Sequence, residues 1–162
     1  MTLPANEEVV LTGIEGKSME IVAEIDPKNA SMVELNVFRS SGAEEVTRIK
    51  FFQKRGFRNQ SVISIDSSSS SILPNVMSRP PETANVPLGE NEPLELRVFL
   101  DRSVVEVFVN GKQCVAIRVY PGRDDSVGVS LRAQGQPAVL TSLDTWQMNS
   151  IYDQLLRYQL EP

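Results

Sequence analysis

The sequence predicts an all-β protein, built as a β-sandwich of two antiparallel sheets. Apolar and polar residues alternate with period two along much of the chain, as they do in strands that bury one face. Turn residues separate roughly ten or more such runs, a pattern typical of sandwiches. Helical spacing of apolar residues occurs only near the C-terminal end. At 162 residues the chain is long enough to form one domain with its own core.

Six of the predicted strands rest on this alternation alone. In the first of them, apolar residues occupy the odd positions until Asp26-Pro27 ends the run. Because the apolar residues largely occupy alternate positions, each strand is predicted to place one face in the core. The six strands span residues 18–25, 33–37, 46–52, 61–66, 127–133 and 139–148.

The segment between Asp66 and Glu92 is predicted to be a connection outside the core. It contains five consecutive serines, residues 67–71, which are followed by four prolines and Gly89. Such a composition is typical of loops. A loop of this length is uncommon in a compact domain and is usually functional, mobile or wrapped over another surface.

The best-defined local prediction is a β-hairpin over residues 94–109. Pairing Phe99 with Val104 places Arg97 opposite Glu106, so that every cross-strand pair is chemically compatible. A shift of the register by one residue would bring apolar residues opposite charged ones along the whole face. The sequence therefore predicts this register for the hairpin.

Asn110-Gly111 predicts the next turn, because both residues tolerate the positive φ that a type I′ turn requires. This turn places Val109 opposite Lys112 and Val107 opposite Cys114. Cys114 is therefore expected to be a small core residue rather than a reactive thiol, since no basic neighbour is implied. It is the only cysteine, so no intrachain disulfide is predicted.

The C-terminal end is the one place where a helix is predicted. Ser150 is a candidate N-cap, and Ile151 and Leu155 begin a series of apolar residues at helical spacing. A helix this short is not stable alone in water. The predicted organisation is a sandwich domain over residues 1–151 and a tail over residues 152–162 that is either a short helix or disordered.

Charge and composition argue against several classes of function. The net charge is −5, with no basic stripe to meet a phosphate backbone, so no nucleic-acid partner is predicted. No apolar run approaches the roughly 20 residues that span a bilayer, so a soluble protein with no membrane partner is predicted. The compartment stays open, because a longer, secreted parent protein could carry a signal peptide upstream of Met1.

The usual catalytic and metal-binding residue types are scarce. The sequence contains no histidine, which argues against catalytic triads and imidazole metal sites. Cys114 alone cannot hold zinc, and no glycine-rich phosphate loop opens a helix. No catalytic residue, no metal site and no cofactor are therefore predicted.

Five carboxylates are candidates for a glycosidase pair, which requires two carboxyl groups about 5 to 10 Å apart. A structural or solvated role is favoured for all five, because aspartate and glutamate commonly serve at turns, in ladders and in loops. The five are Asp101, Glu106, Asp124, Asp125 and Asp144.

Trp146 is the single tryptophan, and a flat aromatic ring of this kind can stack on a sugar. Its place in a predicted strand favours packing in the core or against another domain, since large aromatics dominate core energetics. Which residues would bind a carbohydrate is left open.

Residues 96–111, LRVFLDRSVVEVFVNG, resemble the C-terminal sandwich of glycoside hydrolase family 32, the family of invertases, levanases and inulinases. The resemblance is strongest from about residue 66 to residue 151. It covers most of the chain, and the first half fits by alternation and position more than by motif. Four further stretches carry it in the same order and spacing: Ser64-Ile65-Asp66 with its serines, Arg118-Val119-Tyr120-Pro121, and residues 126–131 and 142–148.

The resemblance implies a lectin-like sandwich of two sheets with about six strands each, following an N-terminal five-bladed β-propeller. In the family the propeller carries the active site, in an Asn-Asp-Pro-Asn-type, an Arg-Asp-Pro and a Glu-Cys motif. None of the three occurs in this sequence, and Gln113 precedes Cys114 where the last motif would need glutamate. The chain alone is therefore expected to be inactive, even if its parent protein cleaves fructosyl bonds.

Three hypotheses follow from the resemblance and the residues together. The first is a non-catalytic module that packs on the propeller and stabilises it, with a homo-oligomer as a further possibility. The second is a carbohydrate-binding module for fructans or related glycans, which rests on analogy at the level of the fold. The third is a complete small glycosidase, which would need two carboxylates in one cleft.

Overall fold

The computed structural model describes residues 1–77, 79–89 and 92–150. These residues form twelve strands in two six-stranded sheets and a single turn of 3₁₀ helix at Phe57–Asn59. The all-β sandwich with about six strands in each sheet is thereby confirmed. The predicted helix of the tail, from Ile151 onward, lies outside the described residues. The domain boundary at residue 151 stays a prediction.

The strands of each sheet are antiparallel to their neighbours. Sheet I contains, in spatial order, β1 (Thr2–Leu3), β12 (Ala138–Gln147), β3 (Ser18–Asp26), β8 (Leu94–Asp101), β9 (Val104–Val109) and β10 (Gln113–Arg118). Sheet II contains β2 (Glu8–Glu15), β11 (Gly128–Gln134), β4 (Met32–Arg39), β5 (Thr47–Phe52), β6 (Ser61–Asp66) and β7 (Glu82–Val86).

One continuous core lies between the two sheets. The odd-numbered residues of β3 from Met19 to Ile25 are fully buried, as the alternation predicts, and the even-numbered ones lie on the outer face. Ile49 and Phe51 of β5 enter the same core from sheet II. Burial of each large apolar side chain contributes about 1.5–3 kcal/mol, so this interface supplies most of the driving force for folding.

The predicted register of the β8–β9 hairpin is wrong by two residues. Asp101 pairs with Val104, which leaves a two-residue turn and places Glu106 opposite Phe99 and Phe108 opposite Arg97. A shift by two keeps every side chain on its face, so the period-two pattern could not distinguish the two registers. The cross-strand pair of Arg97 and Glu106 is therefore absent.

The second hairpin has the predicted turn but one additional loop residue. Asn110 and Gly111 have φ of +50° and +60°, as a type I′ turn requires. The strand pairing then begins at Gln113 opposite Val109, so that Lys112 belongs to the loop. Cys114 consequently lies opposite Phe108 on the outer face and is exposed, and the prediction of a core position is wrong.

The connection after β6 is also more ordered than predicted. It contains β7, which pairs with β6 along its whole length and buries Val86 in the core. This strand has small and polar residues on most positions, so its sequence lacks the alternation by which the other strands were found. Ser70 is buried as well, which shows that the serine run contributes to packing.

The edge strands β7 and β10 meet along one flank of the sandwich. The Gln113 side-chain amide donates a hydrogen bond to the Asn85 carbonyl, with an N to O distance of 3.0 Å. Next to it, the Lys112 ammonium lies 2.6 and 2.7 Å from the two carboxylate oxygens of Glu92. Side chains thus join the two sheets along the edges of β7 and β10, where neither strand has a further strand to pair with.

In the described residues, no helix has both the length and the apolar character needed to cross a membrane.

Candidate docking groove

A groove of about 410 Å³ opens where the connection after β6 meets the segment after β10. Its floor and walls combine apolar side chains with two arginines and several small polar residues. We call it the docking groove, and it is lined by Ser67, Ser70, Leu73, Asn75, Val76, Met77, Arg79, Arg118, Val119 and Tyr120.

Hydrogen bonds of the serine run give the near wall of the docking groove its shape. The Ser70 amide donates to the Ser67 carbonyl in a tight turn, at 3.0 Å. The Ser70 hydroxyl lies 2.8 Å from that of Thr47, and both side chains are buried. The two buried hydroxyls thus pair with each other, and the Ser71 hydroxyl accepts a hydrogen bond from the Leu73 amide at 3.1 Å.

Asp66 anchors the start of this turn. Its carboxylate accepts a hydrogen bond from the Ser68 amide at 3.0 Å and from the Lys50 ammonium at 2.8 Å. Burial opposes ionisation of Asp66, but these hydrogen bonds outweigh it and lower the pKa of the carboxyl to about 2. The turn is therefore held by an ionised carboxylate at neutral pH.

Glu45 connects the two walls. Its fully buried carboxylate accepts hydrogen bonds from the Ile72 and Gly122 amides, both at 2.8 Å. It also accepts from the Arg123 amide at 3.0 Å and from the Ser126 hydroxyl at 2.5 Å. Burial raises the pKa of Glu45, but the four hydrogen bonds act against it and the net pKa is lowered.

The close approach of the two walls depends on a glycine. A Cβ atom at Gly122 would lie 2.7 Å from Cγ of Leu73, well inside van der Waals contact. The side chain of Leu73 is therefore packed directly on the backbone of Gly122. A larger residue at this position would force Leu73 away from the wall.

The surface of the docking groove is unusually apolar for an exposed part of a protein. Met77 is 84% exposed and Tyr120 43% exposed, and Ile72 and Leu73 beside them are also exposed. Contiguous exposed apolar residues with a polar rim are typical of interaction sites. Arg79 and Arg118 flank them, and neither makes an ion pair with a described residue.

Two of the sequence stretches that carried the family resemblance converge at this groove. Ser67 and Ser70, which follow Asp66, line one wall, and residues 118–120 line the other. They are about 50 residues apart in the chain, so the sequence alone gives no reason to join them. Both stretches belong to the motifs that carry the family resemblance, and this shared property is the one feature of the sequence that indicates the groove.

The five candidate carboxylates do not gather in one cleft. Asp101, Glu106 and Asp144 lie on the outer face of sheet I, where Asp101 accepts a long hydrogen bond from Ser18 at 3.4 Å. Asp124 lies 3.6 Å from the Lys17 ammonium. Asp125 binds Arg123 and the Ser41 hydroxyl, and these contacts lower the pKa of its carboxyl.

Trp146 lies on the outer face of sheet I and is 51% exposed, so it is not a core residue. Packing of Trp146 against another domain stays a prediction. In register Trp146 stands beside Glu20 of β3, which is followed by Phe99 of β8. The Phe99 ring contacts the Phe108 ring edge to face, with centroids 5.9 Å apart. The outer face thus carries a row of aromatic and acidic side chains.

Among the described residues, no group of three or more potential metal-ligating side chains is close enough to hold a metal ion.

Comparison with known proteins gives a consistent result. Residues 2–147 match the family described as glycosyl hydrolases family 32 C terminal. The acid beta-fructofuranosidase of Vicia faba is 33% identical over 123 residues, which cover 73% of this chain and 19% of that protein. The chain thus spans about a fifth of the length of this curated relative.

Solved structures share the fold at low identity. Fructan 1-exohydrolase IIa from Cichorium intybus superposes with a TM-score of 0.80 at 18% identity, over 92% of this chain and 34% of that one. Sheep galectin-11 superposes with a TM-score of 0.56 at 15% identity, over 89% of this chain and 99% of that one. The second likeness agrees with the lectin-like sandwich that the resemblance implied.

Proposed function

The chain belongs to the glycosyl hydrolase family 32 C-terminal domain family, and from this membership we propose that it is a non-catalytic module of a β-fructosidase. In this proposal an N-terminal catalytic propeller hydrolyses sucrose or fructans, and the sandwich packs on it through the docking groove and stabilises it. The Vicia faba relative is about four times as long as this chain, which supports a second, larger part.

The exposed apolar lining of the docking groove is the observation that carries the proposal. Burial of Met77 and Tyr120 against a partner would remove apolar surface from water, which favours association at about 25 cal/mol per Å² before the costs of binding. Arg79 and Arg118 make no ion pair with a described residue, so carboxylates on the partner would complement them. The proposed partner surface is therefore apolar with an acidic rim.

The absence of the three propeller motifs from the sequence supports a non-catalytic role. The five candidate carboxylates are engaged in local contacts or spread over one face of sheet I, rather than opposed across a cleft. We expect the pure chain to hydrolyse neither sucrose nor inulin. Release of fructose by the pure chain above the level of a buffer control would contradict this part of the proposal.

Association in trans tests the docking role. The chain is mixed with the separately produced catalytic domain of its parent protein, and binding and the thermal midpoint of the catalytic domain are measured. We expect Met77→Asp to weaken binding by at least about tenfold, because it places a charge in the apolar contact. Phe57→Asp is the matched control, since Phe57 is 75% exposed and lies outside the groove.

Absence of both association and thermal stabilisation would contradict the docking role. An equal loss of binding in Met77→Asp and Phe57→Asp would show that the contact lies elsewhere.

The half-exposed indole of Trp146 favours one second candidate, a module that binds fructans or related glycans. A tryptophan face beside carboxylates such as Glu20 and Asp144 is a common way to hold a sugar. Titration with inulin, levan and short fructo-oligosaccharides would then produce heat and shifted resonances, and Trp146→Ala would abolish both. No response at millimolar sugar would exclude this candidate.

A further inference from the structure

A second pocket, of about 110 Å³, opens on the outer face of sheet II and shares no residue with the docking groove. Its polar wall is formed by Glu8, Glu34, Asn36, Arg48 and Arg132. We propose that this pocket binds a small neutral polyol or the hydroxyl-bearing edge of a sugar. The inference is independent of the docking role and rests on different residues.

The first observation is an unpaired acceptor. Asn36 is only 3% exposed, and its side-chain nitrogen donates to the Ser130 hydroxyl at 3.1 Å. Ser130 in turn donates its single proton to Glu8, at 2.6 Å. Because Ser130 can then only accept from Asn36, the orientation of the amide is fixed. The Asn36 Oδ1 atom is left buried and without a partner in the described structure.

The second observation is an unpaired donor in the same pocket. Arg132 of β11 stands in register between Glu8 of β2 and Glu34 of β4, but its Nε atom is buried and has no partner in the described structure. Glu8 is not free to turn toward it, because Arg39 already holds both of its oxygens, at 2.8 and 3.1 Å. An orphan donor and an orphan acceptor therefore belong to two side chains that line one small pocket, although both atoms lie below its surface.

This combination fits a hydroxyl group, which donates and accepts at once. Buried polar groups in folded proteins are nearly always paired, so unpaired ones indicate a missing ligand or ordered water. Once a small rotation of the surrounding side chains exposes the two atoms, hydroxyls on neighbouring carbons could donate to Asn36 and accept from Arg132. The carboxylate of Glu34, which makes no hydrogen bond or ion pair with a described residue, adds a further acceptor.

The charge and size of the pocket limit which ligands it can bind. The lining carries two carboxylates and two guanidinium groups, and Arg39, which binds Glu8, adds one more positive charge beside them. The net charge at the pocket is therefore small, which favours a neutral ligand. At about 30 Å³ for each water in the liquid, the space takes only a few waters or one edge of a sugar ring. Ala43 and Val46 complete the wall with apolar surface for C–H groups.

Protein-observed nuclear magnetic resonance on the full 162-residue chain tests the proposal. Fructose, glycerol and, as a ring without hydroxyls, 1,4-dioxane are titrated into the labelled protein. We expect fructose and glycerol to shift the Arg132 Nε and Asn36 side-chain amide resonances in a saturable way, and dioxane to leave them unmoved. Trp146 reports separately on the candidate glycan surface of sheet I.

Two variants tie the response to the orphan atoms. Arg132→Lys keeps the charge but removes the Nε donor, and Asn36→Leu keeps the size but removes the acceptor. We expect each to raise the dissociation constant at least about tenfold, while Arg97→Lys on the opposite sheet changes it less than about twofold.

Pocket resonances that do not move, that move equally with dioxane, or that respond equally in all three variants would overturn the proposal. The pocket would then hold water only.

Discussion

Glu45 is a single residue that determines the shape of the docking groove. Its carboxylate joins the segment after the serine run to the segment after β10, which are about 50 residues apart. Four donors converge on it in a place with no access to solvent. Removal of its charge leaves several backbone amides without an adequate acceptor, so the effect should reach both walls.

We predict that Glu45→Gln lowers the free energy of unfolding by at least about 2 kcal/mol, since hydrogen bonds to a charged acceptor contribute about 1.5–3 kcal/mol each. The pKa of Glu45 is lowered from 4.5 in the folded chain, so this contribution is present above pH 4.5 and lost as the pH falls through the folded pKa. Urea unfolding at several pH values measures the difference in the free energy of unfolding between the unsubstituted chain and Glu45→Gln. Glu44→Gln, a half-exposed neighbour, is the control.

An equal loss of the free energy of unfolding in Glu45→Gln and Glu44→Gln would contradict the role assigned to Glu45. So would a loss in Glu45→Gln that stays the same size at acidic pH.

Cys114 illustrates how one loop residue decides the chemistry of a side chain. Because Lys112 belongs to the loop, Cys114 faces outward, where burial and the nearby charge of Glu106 raise the pKa of its thiol. We predict complete alkylation by iodoacetamide in the native protein, but more slowly than for glutathione at the same pH, because less thiolate is present. Mass spectrometry follows the reaction, and modification only after denaturation would contradict the exposed position.

At the scale of strands, the sequence predicts faces better than partners. Period-two alternation places Met19 and Val98 in the core correctly, because burial of one face leaves a direct mark on the residue types. The register of a hairpin depends on the number of residues in its turn, and alternation is the same for any even shift. The strand β7 escaped prediction because its edge position requires few bulky residues.

The corrected register predicts a different ion pair. Arg97 lies 2.6 Å from the carboxylate of Glu20 on β3, while Glu106 stands opposite Phe99. A double-mutant cycle with glutamine substitutions should give about 0.2–1 kcal/mol of coupling between Arg97 and Glu20, because the pair is partly exposed. The cycle between Arg97 and Glu106 is the control and should give none. If Arg97 coupled to Glu106 and not to Glu20, the register predicted from the sequence, with Arg97 opposite Glu106, would be the correct one.

For the whole molecule, the fold class and family could be predicted from the sequence, because they rest on local patterns. The alternating strands and the hairpin at residues 96–111 carry that information within short windows. The docking groove and the pocket at Arg132 could not be predicted, because each joins segments that meet only after the sheets have formed. Long-range packing leaves no periodic mark in the sequence.

The absence of histidine from the sequence has a consequence for the stability of the whole domain. We predict a free energy of unfolding nearly independent of pH between about 6 and 8, because no imidazole titrates there. Below about pH 4.5 stability should fall, since the lowered pKa values of Glu8, Glu45 and Asp66 mean that the unfolded chain binds more protons.

Urea unfolding across this pH range measures the profile. Asp66→Asn should remove about 2 kcal/mol of the acid-dependent part, as the pKa of about 2 implies, and the exposed Asp144→Asn should leave the profile unchanged. A loss of stability between pH 8 and 6 would contradict the prediction.

The contact between β7 and β10 also bears on how copies of this domain behave in concentrated solution. An exposed edge strand offers a row of backbone donors and acceptors on which another chain can add a strand and begin to aggregate. Gln113 and Lys112 cover that row on this flank by binding Asn85 and Glu92. Polymerisation by strand addition is therefore disfavoured here, and recognition at this side of the molecule must operate through side chains.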